Sequence, residues 1–151
     1  MGSLHVGIGN GSSGTTNLPF VYGNGRADIT TTVKGNLGTR YKYTLDLKNQ
    51  TYNITNESGT SLLSLSNIAR GVAINTQDMV IYAWRRANTG AIGYSHSDKV
   101  YSYKLYDNDI LVRDFIPVRI GNIGYMFDKV TGKMFGNSGT GNFILGPDIN
   151  L

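Results

Sequence analysis

The side chains best suited to binding a ligand are concentrated between residues 82 and 97. Carbohydrate binding requires an aromatic face that stacks on a sugar ring, with polar groups nearby that hydrogen-bond to its hydroxyls. The stretch from Arg85 to Asp98 is polar and rich in Gly and Ser, which predicts a long loop. We interpret this loop as a binding site formed by Trp84, Arg85, Arg86, Tyr94 and His96. The alternative for Trp84 and Tyr82 is burial in a β-sheet core.

The carboxylates do not form a catalytic pattern. Glycoside hydrolysis requires two carboxylates about 5–10 Å apart, and the one Glu of the sequence is Glu57, in a predicted turn. Asp107 and Asp109 fall on a predicted hairpin tip. We therefore predict no catalytic residues and a protein that is not an enzyme. A glycan-cleaving enzyme, or a degenerate relative of one, is the alternative.

The sequence also lacks the motifs of a serine nucleophile and of a phosphate-binding loop. A serine triad needs a histidine base, but His5 is near the terminus, His96 is in a polar loop, and no Gly-x-Ser-x-Gly turn is present. The Gly-rich runs at 7–11 and 136–141 do not match a phosphate-binding loop, so we interpret both as turns. The chain contains no Cys, which excludes disulfides and thiolate metal sites.

Composition favours an all-β protein. The 151 residues are enough for one domain, and 20 Gly and 10 Tyr are typical of short strands joined by tight turns. The net charge of +4 is scattered along the chain, which indicates solubility more than nucleic-acid binding. No apolar run approaches the 18 or so residues of a membrane helix, and no signal peptide is recognised.

Alternation of apolar and polar residues predicts the strands. Tyr41, Tyr43, Leu45 and Leu47 fall on one face, the period of a half-buried strand. The best hairpin joins strands 100–106 and 110–118 through residues 107–109, and Pro117 should end its second strand. Further strands are predicted at 4–9, 18–22, 26–33, 51–56, 61–65, 79–84, 124–127, 134–135 and 143–145, with one helical turn left open within 66–75.

Two local charge patterns have structural interpretations. Arg113 and Asp114 lie among apolar neighbours, which predicts a structural ion pair rather than a site. Asp128 precedes Thr131 and Gly132, which predicts a turn in which its carboxylate accepts backbone N–H bonds. The pattern of a dozen short strands predicts two packed antiparallel sheets in one domain, residues 1–151.

Residues 98–148 resemble a known family. The runs VYSYKLYDNDILVRDFIPVR (100–119) and GYMFDKVTGKMFGNSGTG (124–141) resemble the closing strands of laminin-G-like, concanavalin-A-like jelly rolls of gut bacterial surface proteins and phage tail proteins. The resemblance implies an all-β, two-sheet antiparallel jelly-roll sandwich. Domains of this family usually open with a further outer strand. Here the strand pattern starts directly at Leu4, so we expect that this outer strand is missing or replaced.

The resemblance implies a binding or structural role outside the cell. We expect a non-enzymatic module that binds a surface glycan or protein, located extracellularly, on a cell surface or in a virion. A purely structural domain that oligomerises through an exposed sheet edge is another alternative. No cofactor is expected, although related domains sometimes hold Ca²⁺ at a loop rim; Asp28, Asp78, Asp98 and Asn108 could contribute, with no ligand set assigned.

Overall fold

The protein is all-β in the part that its structure, a computed structural model, describes. That part comprises residues 5–9, 18–22, 35–36, 38–68, 80–81, 84–85, 91–93 and 99–148, with four of its strands described by their backbone alone. It contains antiparallel sheets of three and four strands and two separate hairpins, and no helix. The chain divides into two compact units, Met1–His96 and Ser97–Leu151.

The first unit contains two hairpins and the three-stranded sheet. Strands β1 and β2 pair with each other, as do β6 and β7, and the sheet has the order β3-β4-β5. The bounds are β1 His5–Gly9, β2 Leu18–Tyr22, β3 Tyr41–Asp46, β4 Thr51–Asn56, β5 Ser61–Leu65, β6 Trp84–Arg85 and β7 Ile92–Gly93.

One face of the three-stranded sheet forms the core of this unit. Tyr52 and Ile54 are fully buried, and they cluster with Leu63 and Ile68. Residues directly opposite each other in antiparallel strands share a face, so Tyr52 lies between Leu45 and Leu65. The other face is polar, and there Ser64 Oγ donates a hydrogen bond to Asn53 Oδ1. The alternation predicted for the strand from Tyr41 is confirmed in part: Tyr41 and Leu45 pack against this core, whereas Tyr43 is 41% exposed and Leu47 lies in the turn after β3.

The turn between β3 and β4 is held by a carboxylate. Asp46 Oδ1 accepts a hydrogen bond from the Asn49 backbone N–H at 2.9 Å, and Oδ2 accepts one from the Asn49 amide at 2.7 Å. These bonds hold the pKa of the Asp46 carboxyl below its ordinary value. Gln50 has a φ of 54°, which completes the predicted hairpin turn at residues 49–50.

The second unit is a four-stranded meander in the order β11-β10-β9-β8. Asn108 and Asp109 have φ values of 48° and 66°, the signature of the tight turn predicted for this hairpin. Phe115 is the buried hydrophobic residue of the sheet. The centroid of its ring lies 5.4 Å from that of Phe135 and 6.3 Å from that of Tyr103. The bounds are β8 Tyr103–Asp107, β9 Ile110–Ile120, β10 Ile123–Asp128 and β11 Lys133–Phe135.

Four predicted strands differ from the structure. The predicted strand 100–106 is shorter at its start, because residues 100–102 precede β8 and are not in a strand. Pro117 does not end β9, which continues to Ile120. Since β8 pairs with β9 only as far as Phe115, Pro117 lies where β9 has one partner in the described ladder, and proline is tolerated there. Residues 143–145 are not a strand, and neither are residues 80 and 81 of the predicted strand 79–84. The predicted strand 26–33 lies outside the described residues.

We expect the substitution Ile54→Ala to lower the free energy of unfolding by about 2–5 kcal/mol, because it leaves a cavity at a fully buried site. Leu47→Ala, at a side chain that is 47% exposed, is the matched control and should change it by less than about 0.5 kcal/mol. Urea titration followed by circular dichroism measures both. Equal effects of the two substitutions would contradict the assignment of this core.

Candidate functional site

The predicted binding loop is only partly described. The backbone of Trp84 and Arg85 forms β6, which pairs with β7, so Arg85, Ile92 and Gly93 belong to a short hairpin rather than to one continuous loop. The side chains of Trp84 and Arg85, and the whole of Arg86, Tyr94 and His96, lie outside what the structure describes. This binding site therefore stays a prediction.

A different cluster of polar and aromatic side chains lies in the described part of the first unit. Arg40, Tyr41 and Lys42 at the start of β3, with Asn56 and Glu57 at the end of β4, line an open depression of about 260 Å³. We call it the β3–β4 depression. Its lining combines two cations, one aromatic ring, one amide and one carboxylate.

Strand register brings these residues together. Tyr41 lies directly opposite Asn56 in the antiparallel ladder, which places residues 40–42 beside residues 56–57. The sequence predicts the pairing of these two strands, but not which side chains line their open end. The sequence does not indicate the depression as a binding site, because its two halves are 14 or more positions apart along the chain.

Asn56 is held by the turn that follows it. Its Oδ1 accepts hydrogen bonds from Ser58 Oγ at 2.7 Å and from the Thr60 backbone N–H at 2.8 Å. The Asn56 carbonyl accepts another from the Gly59 N–H, where a φ of 81° requires glycine. These bonds use the acceptors of Asn56 and leave its amide N–H groups as donors for a ligand.

The charges of the depression favour an electron-rich ligand. Arg40 Nη1 lies 3.4 Å from Glu57 Oε1, and both side chains are about half exposed or more. Such an exposed pair contributes little to stability. Lys42, which is exposed, adds a second cation, so the five residues carry a net positive charge. Guanidinium, ammonium and amide groups can donate hydrogen bonds to hydroxyl and carboxylate groups.

The second unit contains a fully buried carboxylate, that of Asp128. Its Oδ1 accepts hydrogen bonds from the backbone N–H groups of Asp114 and Val130, and its Oδ2 accepts one from Thr131 Oγ1 at 2.7 Å. Arg113 Nε lies 3.6 Å from Oδ2. The predicted role of Asp128 as an acceptor of backbone N–H bonds in this turn is confirmed.

Burial alone would raise the pKa of the Asp128 carboxyl. The three hydrogen bonds and the Arg113 charge outweigh it, and the pKa lies below the ordinary value. Asp128 is therefore ionised at neutral pH and acts as a structural acceptor.

Asp114 has different partners from those predicted. Its Oδ2 lies 3.1 Å from Lys129 Nζ and 3.8 Å from Lys104 Nζ. The predicted Arg113–Asp114 ion pair is wrong, because neighbouring residues of a strand point to opposite faces. Asp128, which lies opposite Phe115, shares the face of Arg113. The two buried aspartates therefore lie on opposite faces of the sheet.

No cluster of metal-binding side chains occurs among the described residues. Asn108, one of the residues considered for Ca²⁺, lies in the β8–β9 turn and donates a hydrogen bond to Asp107 Oδ1. Asp28, Asp78 and Asp98 lie outside the described residues. Within the described part, no helix is long and apolar enough to span a membrane.

Comparisons with models of known protein families, with curated proteins and with solved structures found no match.

We expect acid to destabilise the protein partly through Asp128. A carboxyl whose pKa is lowered on folding stabilises the folded state above its unfolded pKa of about 3.9, and this contribution is lost as the pH falls through the lower folded pKa. Asp128→Asn should lower the free energy of unfolding at pH 7. Below about pH 4, the free energy of unfolding of this variant should fall less steeply with decreasing pH than that of the wild type.

Urea titrations between pH 2 and 7 measure this dependence. Thr131→Val removes one of the hydrogen bonds to Asp128, so its free energy of unfolding at pH 7 should lie between those of the wild type and Asp128→Asn. An acid profile that is the same in Asp128→Asn as in the wild type would contradict the role assigned to this carboxylate.

Proposed function

We propose that this protein is a non-enzymatic binding module that recognises a surface glycan, with the β3–β4 depression as a contact site. The glycan would carry hydroxyl groups and an acidic group. We place the module outside the cell, on a cell surface or in a phage tail assembly, because of the resemblance of residues 98–148 to laminin-G-like domains.

The proposal includes a fold. Its antiparallel sheets of three and four strands are compatible with a two-sheet sandwich. We propose the jelly-roll topology of the laminin-G-like kind within a single domain. The resemblance carries this topology, and the all-β composition of the described residues is compatible with it.

The observation that carries the proposed function is the composition of the β3–β4 depression. Arg40, Lys42 and the Asn56 amide offer hydrogen-bond donors at this end of the sheet, and the part of the Tyr41 ring that is not packed against the core would offer aromatic surface to a sugar ring. The depression is open, so it suits an exposed chain end or a repeating polymer rather than an enclosed small molecule. The predicted site at Trp84, Arg85, Arg86, Tyr94 and His96 would be a second contact.

Two features favour binding over cleavage. The depression contains one carboxylate, Glu57, which pairs with Arg40, whereas glycoside hydrolysis uses two carboxylates that flank one bond. Among the described residues, the buried Asp114 and Asp128 lie on opposite faces of their sheet and are paired with Lys129 and Arg113. The position of Asp114 and Asp128 on opposite faces does not favour their acting as acid and nucleophile on one glycosidic bond.

A structural role is the second candidate, and the exposed surface of the four-stranded sheet favours it. Ile120 is 58% exposed and Ile123 is 44% exposed, and they lie opposite each other in the β9–β10 ladder. Met134, on the same face, is 49% exposed. Exposed apolar clusters of this kind mark protein–protein contacts. Such contacts would let the module oligomerise or join a larger assembly.

We expect the double substitution Arg40→Ala and Lys42→Ala to weaken binding of an acidic bacterial polysaccharide by about tenfold or more. Loss of two charge-assisted contacts, each of about 1 kcal/mol or more, accounts for this change. A glycan array identifies the ligand, and isothermal titration at two salt concentrations measures the affinity. Lys48→Ala, which removes a cation outside the depression, is the matched control and should bind as the wild type does.

The alternatives have separate outcomes. If Tyr94→Ala or His96→Ala abolishes binding while the double substitution does not, the ligand lies at the predicted loop. No binding to any glycan, together with a defined oligomer in analytical ultracentrifugation, would contradict the glycan proposal and favour the structural role. Release of reducing ends from the bound polysaccharide would contradict the assignment as a non-enzyme.

A further inference from the structure

Gly124 in β10 is glycine because another part of the chain lies against it. The residue is buried, and a Cβ atom added to it would lie 3.0 Å from Leu145 Cδ2 and 3.1 Å from Phe143 Cβ. Both distances are shorter than ordinary van der Waals contact. The surface of β10 at Gly124 is therefore the floor of a shallow groove, which the segment 143–148 occupies.

The groove continues onto β9. Arg119 lies directly opposite Gly124 in the ladder, and its Nη2 donates a hydrogen bond to Asp148 Oδ2 at 2.5 Å. The contacts thus have a simple pattern, in which two apolar side chains separated by one residue precede an acidic side chain. Ile144, between the two apolar residues, is 93% exposed and does not contribute.

The attachment of the segment is weak. Phe143 and Leu145 remain 37% and 36% exposed, and the Arg119–Asp148 pair is exposed as well. The segment is not a strand, and a loop containing Gly136, Gly139 and Gly141 joins it to β11. Exposed ion pairs and half-buried side chains contribute little each, so we expect the segment to detach at a lower cost in free energy than a strand of the sheet below it.

We propose that the Gly124–Arg119 groove is a docking site for the segment 143–148 of a second copy of this chain. When two copies exchange this segment, each contact within one chain is replaced by the same contact between chains. The free-energy cost of exchange is therefore entropic, because the glycine-rich loop no longer holds the segment close to its groove. The occupant is already defined by the contacts of the chain with itself. The exchange links copies of the protein through their segments 143–148, and it does not depend on glycan binding.

Cysteine cross-linking tests this proposal in the full chain, because the sequence contains no other Cys. Two single variants, Gly124→Cys and Phe143→Cys, are mixed in equal amounts under mild oxidation. The short distance from a Cβ at 124 to Phe143 Cβ is close to disulfide geometry. Exchange predicts a mixed disulfide dimer that forms at least tenfold faster than in a mixture of Gly124→Cys with Ile144→Cys.

Competition provides the second readout. A synthetic peptide of residues 142–151 should slow the cross-linking of Gly124→Cys with Phe143→Cys and leave the Ile144→Cys mixture unchanged. Cross-linking rates within twofold of each other in the two mixtures, with no effect of the peptide, would overturn the proposal.

A second pair of variants covers the case in which Gly124→Cys does not fold. The same comparison is made with Arg119→Cys, mixed with either Asp148→Cys or Gly146→Cys. Faster cross-linking to position 148 supports exchange, and equal rates reject it.

Discussion

The carboxylate of Asp128 organises the second unit, because a buried charge is tolerated only when its surroundings supply enough hydrogen bonds and an opposite charge. Here those groups come from three places, the backbone of β9, the turn after β10 and the Arg113 side chain. The Lys129 N–H also donates to the Asp114 carbonyl, and the Gly132 N–H to the Asp128 carbonyl. The position of one carboxylate thus couples the register of β9 and β10 to the turn that starts β11.

Elements with local signals could be predicted from the sequence, and elements defined by distant contacts could not. The β8–β9 hairpin was predictable because Asn108 and Asp109 tolerate the positive φ of a tight turn. The continuation of β9 through Pro117 was not, because it depends on where β8 stops pairing. The prediction of a strand at residues 143–145 is wrong for the same reason. Their apolar side chains suggest a strand, yet they pack through side chains onto Gly124.

The candidate sites show the same division. The sequence predicts a site at Trp84, Arg86 and Tyr94 because aromatic and cationic residues are dense in one short stretch. The β3–β4 depression has no such density, and its residues become neighbours only through the pairing of Tyr41 with Asn56. Composition along the chain finds sites formed by one loop. Sites formed by the ends of paired strands require the register, which the alternation of side chains predicts only to within a shift of two residues.

Glycine at position 124 shows how a locally unfavourable residue can be required by tertiary structure. In a strand, glycine gives up side-chain packing and costs conformational entropy, so a larger residue would favour β10 by itself. A Cβ atom at this position would lie 3.0 Å from Leu145 Cδ2 and 3.1 Å from Phe143 Cβ, so a larger residue would require the segment 143–148 to move away from the sheet. The strand is therefore weakened at the point where a second segment binds. Glycine thus lowers the intrinsic stability of β10 and leaves room for the segment 143–148 to lie close to the sheet, although each contact of that segment is weak.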